Sequence, residues 1–276
     1  MKKIILSFDL EFWYNSKFIG NYIKESDTKN DVAHEATKSL LKILKKHNIQ
    51  ATFFVLGKFA EKYPELIDEI SQSGHEIASH GYSHAMLDNL EPDKFEEELK
   101  RTEQILKKVT GKKVKGFRAP AFSLNTNTTW AVRILKKIGY TYDSSIFPKK
   151  MGLYGINLRN KQPYPISTKN IKMEDKSSKL VEFPITVWWH LPLGGFYFRF
   201  TPFWIQKIAL KQILKSQNAV MYLHPHELLP FIPNIGIPWW KKTLKYWGVH
   251  SAMNKLDKLL STFPCTTHEH ALKGYT

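Results

Sequence analysis

A single cysteine, Cys265, stands in the 276 residues. It has no partner for an internal disulfide, and it excludes every structural zinc site built on two or more thiolates. A reducing compartment fits this usage. Long apolar runs are missing as well. No stretch approaches the ~18 to 20 uninterrupted apolar residues of a spanning helix, which argues against an integral membrane protein. Met1-Lys2-Lys3 followed by Ile4-Ile5-Leu6 imitates a secretion leader, but Ser7 and Asp9 cut the run short of the ~7 to 15 apolar residues that such a leader needs. Export by that route is not expected, and the expected location is cytoplasmic.

Acidic residues are also scarce, 25 against 41 Lys plus Arg, giving a net charge of +16. Such a surplus suits a nucleic acid, an anionic membrane surface or an acidic substrate. Only five of the 41 are arginine. Arginine is the preferred fork for phosphates and base edges, so a lysine excess favours a solvated surface over dedicated nucleic-acid binding. Fixed-period repeats, low-complexity tracts and a dividing linker are absent too, which argues against solenoids and arrays. What remains is 42% hydrophobic, enough for a sizeable core and incompatible with disorder as the main state.

Short apolar runs alternate with longer periodic ones. Strands are expected at Ile4 to Phe8, Ala51 to Val55, His75 to Ala78, Val114 to Phe117, Thr141-Tyr142, Leu180 to Val187, Ala219 to Leu223 and Cys265 to Thr267. Helices are expected over Asp31 to His47, Pro64 to Ser73, from Pro92 to the stop at Gly111, Thr126 to Ile138, from an N-cap at Thr201 to about Ser216, and Ser251 to Leu260. Phe147 to Lys179, rich in Pro, Gly, Asn, Ser and Lys, reads as a long surface excursion. About seven strand–helix units in one chain imply an α/β fold, a closed or nearly closed (β/α) barrel, as a single domain over residues 1–276. Reactive side chains in such barrels gather where the strands end.

Five strand ends carry candidates. In Ser7-Phe8-Asp9-Leu10-Glu11, side chains two apart project together, so Asp9 and Glu11 share a face. A cation between them or an exposed acidic turn would each explain the pair. In His80-Gly81-Tyr82-Ser83-His84, two histidines four apart can face one metal if the intervening chain makes a helical turn. Satisfied surface or core histidines are the alternative. Together, one carboxylate and two histidines make a familiar three-ligand zinc set. Arg118-Ala119-Pro120 follows the next strand, where the arginine either forks a carboxylate or is a plain surface residue. Asp143-Ser144-Ser145 places an acid that would serve equally as an N-cap. Leu223-His224-Pro225-His226 ends an apolar strand on a histidine.

This ordered series resembles the polysaccharide deacetylase family, carbohydrate esterase family 4, whose members share a distorted (β/α) barrel and five motifs. The resemblance spans residues 7 to 224 and implies a metal-dependent hydrolase, Zn²⁺ being the expected ion, that removes N-linked acetyl groups from amino sugars. Asp9 matches the family's catalytic base, and His80 and His84 its metal histidines. Arg118 is similar to the arginine that holds the base, Ala121 to the backbone oxyanion donor, and His224 to the general acid. Asp143 would tune the histidine or shape the site. The common first motif has adjacent aspartates, but Leu10 stands in the second place here and cannot bind a cation, so Glu11 is expected as the third ligand. His226 also satisfies a leucine-x-histidine pattern, and His224 is preferred because it ends the apolar run directly.

A second block, Val181 to Pro184 and Pro192 to Arg199, resembles a subgroup associated with exopolysaccharide biosynthesis. Trp13, Trp188, Trp189 and Phe196 are expected either as sugar-stacking platforms or as core. Two other readings stay open: a deformylase of a lipid-linked amino sugar, and a non-catalytic glycan-binding barrel. The lysine surplus would hold the chain near anionic glycans or peripherally at the inner membrane surface.

Overall fold

The computed structural model describes residues 1–16, 18–29, 31–150, 155–159, 161–231, 233 and 235–275. Its strands are β1 (Ile4–Leu10), β2 (Thr52–Val55), β3 (Glu76–Ser79), β4 (Gly116–Phe117), β5 (Tyr142–Asp143), β6 (Tyr164–Pro165), β7 (Val181–Glu182), β8 (Val187–Trp188), β9 (Leu191–Pro192), β10 (Ala219–Leu223) and β11 (Cys265–Thr266). The α-helices are α1 (Ala33–Lys46), α2 (Gly57–Lys62), α3 (Pro64–Gln72), α4 (Pro92–Thr110), α5 (Trp130–Ile138), α6 (Gly195–Phe200), α7 (Phe203–Ile213), α8 (Trp239–Tyr246), α9 (Val249–Thr262) and α10 (His268–Leu272).

Seven strands lie parallel in the order β10-β1-β2-β3-β4-β5-β7, β6 adds an antiparallel edge, and β11 pairs with the start of β1. Between β7 and β10 the curled sheet is bridged by Thr186. Its N–H donates to the Val220 carbonyl at 3.0 Å, and its hydroxyl accepts from the Val220 N–H at 2.8 Å. This is the distorted (β/α) barrel expected from the alternation of strands and helices.

The period of two along each strand sorts the side chains. Ile4, Leu6, Phe8 and Leu10 of β1 pack outward in the large cluster with helix residues such as Leu40, Leu44 and Leu256. Ile5 joins the inner cluster with Phe54, Ala78, Val220 and Tyr222. The same alternation therefore turns Ser7, Asp9 and Glu11 inward, and in β10 it sets His224 on the side of Val220 and Tyr222. Above the inner apolar plug the barrel lumen becomes polar, and that is where the motif residues emerge.

Several expected boundaries move for identifiable reasons. The strand expected over Leu180 to Val187 breaks after Glu182, because Pro184 has no N–H to continue a ladder, and its last part forms the β8–β9 hairpin instead. Thr201 is not the cap of α7. It terminates α6, and Pro202 occupies the cap. The α5 helix starts at Trp130 rather than Thr126, because Asn125 and Thr128 first close a turn with each other. Of the expected excursion from Phe147 to Lys179, residues 151–154 and 160 lie outside the described residues, and the remainder contributes β6. Gly194 bridges to Tyr222, and a side chain there would set Cβ 2.5 Å from the Tyr222 carbonyl oxygen.

Candidate active site

The strand ends converge on one cleft of about 630 Å³, lined by Asp9, Glu11, His80, His84, Ala121 and His224 among others. Arg118 lies beneath it, fully buried. Its Nη1 donates to Asp9 Oδ1 at 2.6 Å and to Ser7 Oγ at 2.9 Å, Nη2 donates to Ser144 Oγ at 2.8 Å, and Nε donates to the Ser144 carbonyl at 3.0 Å. The guanidinium also lies 4.0 Å from the centroid of the Phe54 ring. A buried carboxylate is tolerable only when paired and hydrogen-bonded in this way, so Arg118 is the condition for Asp9 being there.

Glu11 faces the two histidines. Its Oε2 is 2.5 Å from His84 Nε2 and 3.6 Å from His80 Nε2, and one ligand atom from each of the three residues lies within 4.8 Å of the others. The expected helical turn between the histidines is not what joins them. Gly81 (φ 76°) and His84 (φ 67°) take left-handed backbone, and this sharp loop sets the rings 5.6 Å apart. His80 Nδ1 donates to the Arg118 carbonyl at 2.8 Å, which fixes the ring and turns Nε2 toward Glu11. Two imidazole nitrogens and a carboxylate, oriented and nearly dry, suit a divalent cation. This donor set can hold a metal ion. Burial alone would raise the Glu11 carboxyl, but the His84 and His224 charges and hydrogen bonds from His80 and His84 outweigh it and hold the group well below the usual range.

His224 stands across the cleft with Nε2 3.7 Å from Glu11 Oε1 and 3.9 Å from Asp9 Oδ2. On its other side Nδ1 meets Glu227 Oε2 at 3.2 Å. Burial disfavours its charge, yet Glu11, Glu227 and Asp9 together push the imidazole up to about 9. His226 goes the other way. Burial and the neighbouring His224 charge push it down to about 3, and among the described residues its Nδ1 has no hydrogen-bond partner. The two rings stack 5.4 Å apart, so the strand end offers one charged and one neutral imidazole.

Glu227, Arg199 and Lys245 escaped the sequence reading as site residues. Arg199 Nη2 donates to Glu227 Oε1 at 3.1 Å, and Lys245 Nζ lies 3.9 Å from the same oxygen. Glu227 is buried, which alone would raise it, but Arg199 and His224 hold it well below the usual carboxylate range. The one available signal was a glutamate three residues after His224, in a short turn begun by Pro225.

Asp143 is not brought to the histidine. Its carboxylate meets Ser145 and Glu182, and Ser145 Oγ in turn accepts the Ala119 N–H at 2.7 Å. Asp143-Ser144-Ser145 thus secures Arg118 and the turn that follows it. In that turn Ala121 (φ 52°, ψ 26°) and Phe122 (φ 51°) are left-handed, a conformation that costs on the order of 1–3 kcal/mol per residue, and Ala121 lines the cleft. Of the four expected aromatic platforms, Phe196 lines the cleft, Trp13 is core, and Trp188 and Trp189 sit on the β8–β9 hairpin and its turn.

Asp143 and Glu182 form a buried carboxyl pair whose Oδ2 and Oε2 have no other partner among the described residues, as a shared proton requires. Burial, opposed by hydrogen bonds, leaves Asp143 at about 6, and burial with the Asp143 charge drives Glu182 well above its ordinary value. Raised carboxyls stabilise the fold fully below their unfolded values near ~4.3, and that contribution is lost as pH climbs through the folded values. Glu182→Gln should therefore gain on the native protein between pH 5 and pH 8, by on the order of 1–3 kcal/mol. Denaturant titration at both pH values reads this, and an equal difference at the two would refute the shared proton.

Residues 26–142 match the sequence model of the polysaccharide deacetylase family, and residues 144–273 match that of a domain of unknown function, DUF3473. A peptidoglycan deacetylase of Helicobacter pylori is 25% identical over 82% of this chain and 75% of its own length. A peptidoglycan-N-acetylglucosamine deacetylase of Bacillus cereus is 41% identical over 31% of each. Apart from the Helicobacter protein, the first curated relatives are covered over only 31% to 49% of their length. Among solved structures, a Mycobacterium smegmatis protein assigned to the polysaccharide deacetylases superposes over 98% of this chain and 88% of its own, with a TM-score of 0.66 at 20% identity.

Proposed function

We propose, from the premise that this chain belongs to the polysaccharide deacetylase family, carbohydrate esterase family 4, that it is a metal-dependent hydrolase releasing N-linked acetyl groups from amino sugars of a polysaccharide or glycan precursor. The whole of residues 1–276 would act as one catalytic domain, since β1 pairs with β2 from one matched segment and with β10 from the other. The observation that carries the reading is the convergence, in one cleft, of an Arg118-held Asp9 and a Glu227-held His224 beside the Glu11, His80 and His84 cluster.

Glu11, His80 and His84 would hold the ion, which we take to be Zn²⁺. When bound, it supplies Lewis-acid polarisation of the acyl carbonyl and acidifies water from ~15.7 toward ~7. The protein groups do the remaining work. Asp9, fixed by Arg118, accepts the proton of the water that attacks the carbonyl carbon. The Ala121 N–H donates to the oxyanion that develops there, and one well-placed donor of this kind is worth roughly 3–4 kcal/mol. His224, its Nδ1 held by Glu227, gives a proton to the nitrogen as the C–N bond breaks, so that acetate and a free amine leave. Asn15, Asn125 and Asn127 at the cleft wall offer hydrogen bonds to sugar hydroxyls, and Phe196 offers a ring face.

The test joins metal analysis with acetate release from N-acetylated oligosaccharides, with N-formylated substrates alongside. About one divalent ion per chain and acetate release are expected, and His84→Ala should lose both together. Oligosaccharide binding without metal or hydrolysis would replace the enzyme by the glycan-binding barrel, and preference for formyl would make it a deformylase.

A further inference from the structure

The face built by α6, α7 and α8 exposes large apolar side chains that the catalytic reading leaves unused. Trp239 is 79% exposed and Trp204 65%, and Phe200, Ile208, Trp240, Leu244 and Trp247 are each 42% to 52% exposed. Five of the eight tryptophans are exposed in this way, counting Trp189 at 80%. On α8 no residue is buried, and Trp240, Leu244 and, at its C-cap, Trp247 follow at one-turn spacing as a half-exposed apolar stripe. Ring contacts link α6 to the end of α8. Phe196 stacks on Phe200 at 5.5 Å, and Phe200 meets Trp247 at 6.0 Å. On α7, Gln212 accepts from Trp188, itself stacked on Trp189, and lies one turn beyond Ile208 and two beyond Trp204.

Charge gives the face a sign. From residue 183 to residue 256 the sequence has seven lysines and one arginine but a single acid, Glu227, which is buried against Arg199. Lys207, Lys211, Lys215, Lys241 and Lys242 stand exposed or half-buried among the aromatics. Lys241 lies over the rings of Trp240, Phe18 and Tyr22 at 5.5, 5.3 and 4.8 Å, extending the patch to the rim of the cleft that Phe18 lines. A sugar platform pairs its rings with carboxylate or amide acceptors for hydroxyls, and exposed carboxylates are absent from this stretch. Tryptophans interleaved with lysine and aliphatic residues on one helical face are instead the composition of a helix lying in a lipid headgroup layer.

We propose that this face docks the protein on an anionic phospholipid bilayer, with α8 lying in the interface and its lysines on lipid phosphates. Lys245 ties the face to the site. Its Nζ donates to Ser16 Oγ at 2.9 Å and lies 3.9 Å from Glu227, so α8 also walls the cleft, and docking would present the cleft mouth close to the membrane. This inference does not depend on the hydrolytic reading, because a chain without activity would still dock.

Flotation with vesicles of phosphatidylglycerol and phosphatidylcholine, against pure phosphatidylcholine, tests it with the full chain. Expected are binding to the anionic vesicles, quenching of tryptophan fluorescence by brominated lipid, and weakening as salt rises from 0.1 to 0.5 M. The variant Trp239→Ser/Trp240→Ser/Leu244→Ser should lower partitioning by roughly tenfold or more while the circular dichroism spectrum and melting temperature stay native. Failure to float with anionic vesicles, unchanged partitioning of a folded variant, or binding to soluble polysaccharide in place of vesicles would each overturn the proposal. The same holds if the patch proves to be covered by a second copy of the chain in solution.

Discussion

Asp9→Asn should lower acetate release by roughly 10²- to 10⁴-fold while the metal content stays at the native level. Asparagine keeps the shape of the side chain and an oxygen that can still accept from Arg118 Nη1, but it cannot take a proton from water. Glu11, His80 and His84 are untouched by the change, so the ion's own ligands remain. Removing one charge of a buried pair also costs stability, and rates should therefore be measured well below the variant's melting temperature. The informative result is the separation of the two readouts. Loss of metal together with activity would make Asp9 a ligand rather than a base. Full activity with metal retained would remove it from the chemistry.

The shared inward face of Asp9 and Glu11 was visible in the sequence, because a spacing of two at the end of a strand points both side chains the same way whatever the rest of the chain does. His80, Arg118 and His224 were placed in a similar way, each following a short run read as a strand. What could not be read were the contacts made by distant segments. Asp143 looked like a tuner of the histidine, but its partners are Ser145 and Glu182, the latter 39 positions away and facing it only because β5 pairs with β7. Glu227 holds His224 while Arg199 holds Glu227, a chain set by how α6 folds back beside the end of β10. Closure of the barrel through Thr186 and Val220 was not legible either, since the sequence puts Thr186 in an extended run but does not say which distant strand it meets once the run breaks at Pro184. The aromatic stretch was ambiguous in another way. Composition separates a core tryptophan from an exposed one only when the packing partner is known, and Trp13 is core while Trp239 is bare.

Arg118 is the second place where a large effect is expected, and here it falls on the fold as much as on the rate. Its guanidinium is fully buried and bridges β1, β4 and the segment after β5 through Asp9, Ser7 and both oxygens of Ser144. Arg118→Met removes the only cation that touches Asp9 among the described residues apart from the more distant His224, and leaves a buried carboxylate without its fork. A loss of roughly 3–5 kcal/mol in unfolding free energy is expected, with acetate release falling alongside. Arg118→Lys should recover little of either, because one ammonium cannot reach four acceptors spread around a planar group. The double variant Asp9→Asn/Arg118→Met distinguishes pairing from mere packing. If the charge pair dominates, the double variant is more stable than Arg118→Met alone, because the unpaired carboxylate is gone. If the arginine acts chiefly by filling space over Phe54, the two losses add. Denaturant unfolding of the four proteins in this cycle decides between them, and strict additivity would show that Arg118 holds the barrel together without holding the base.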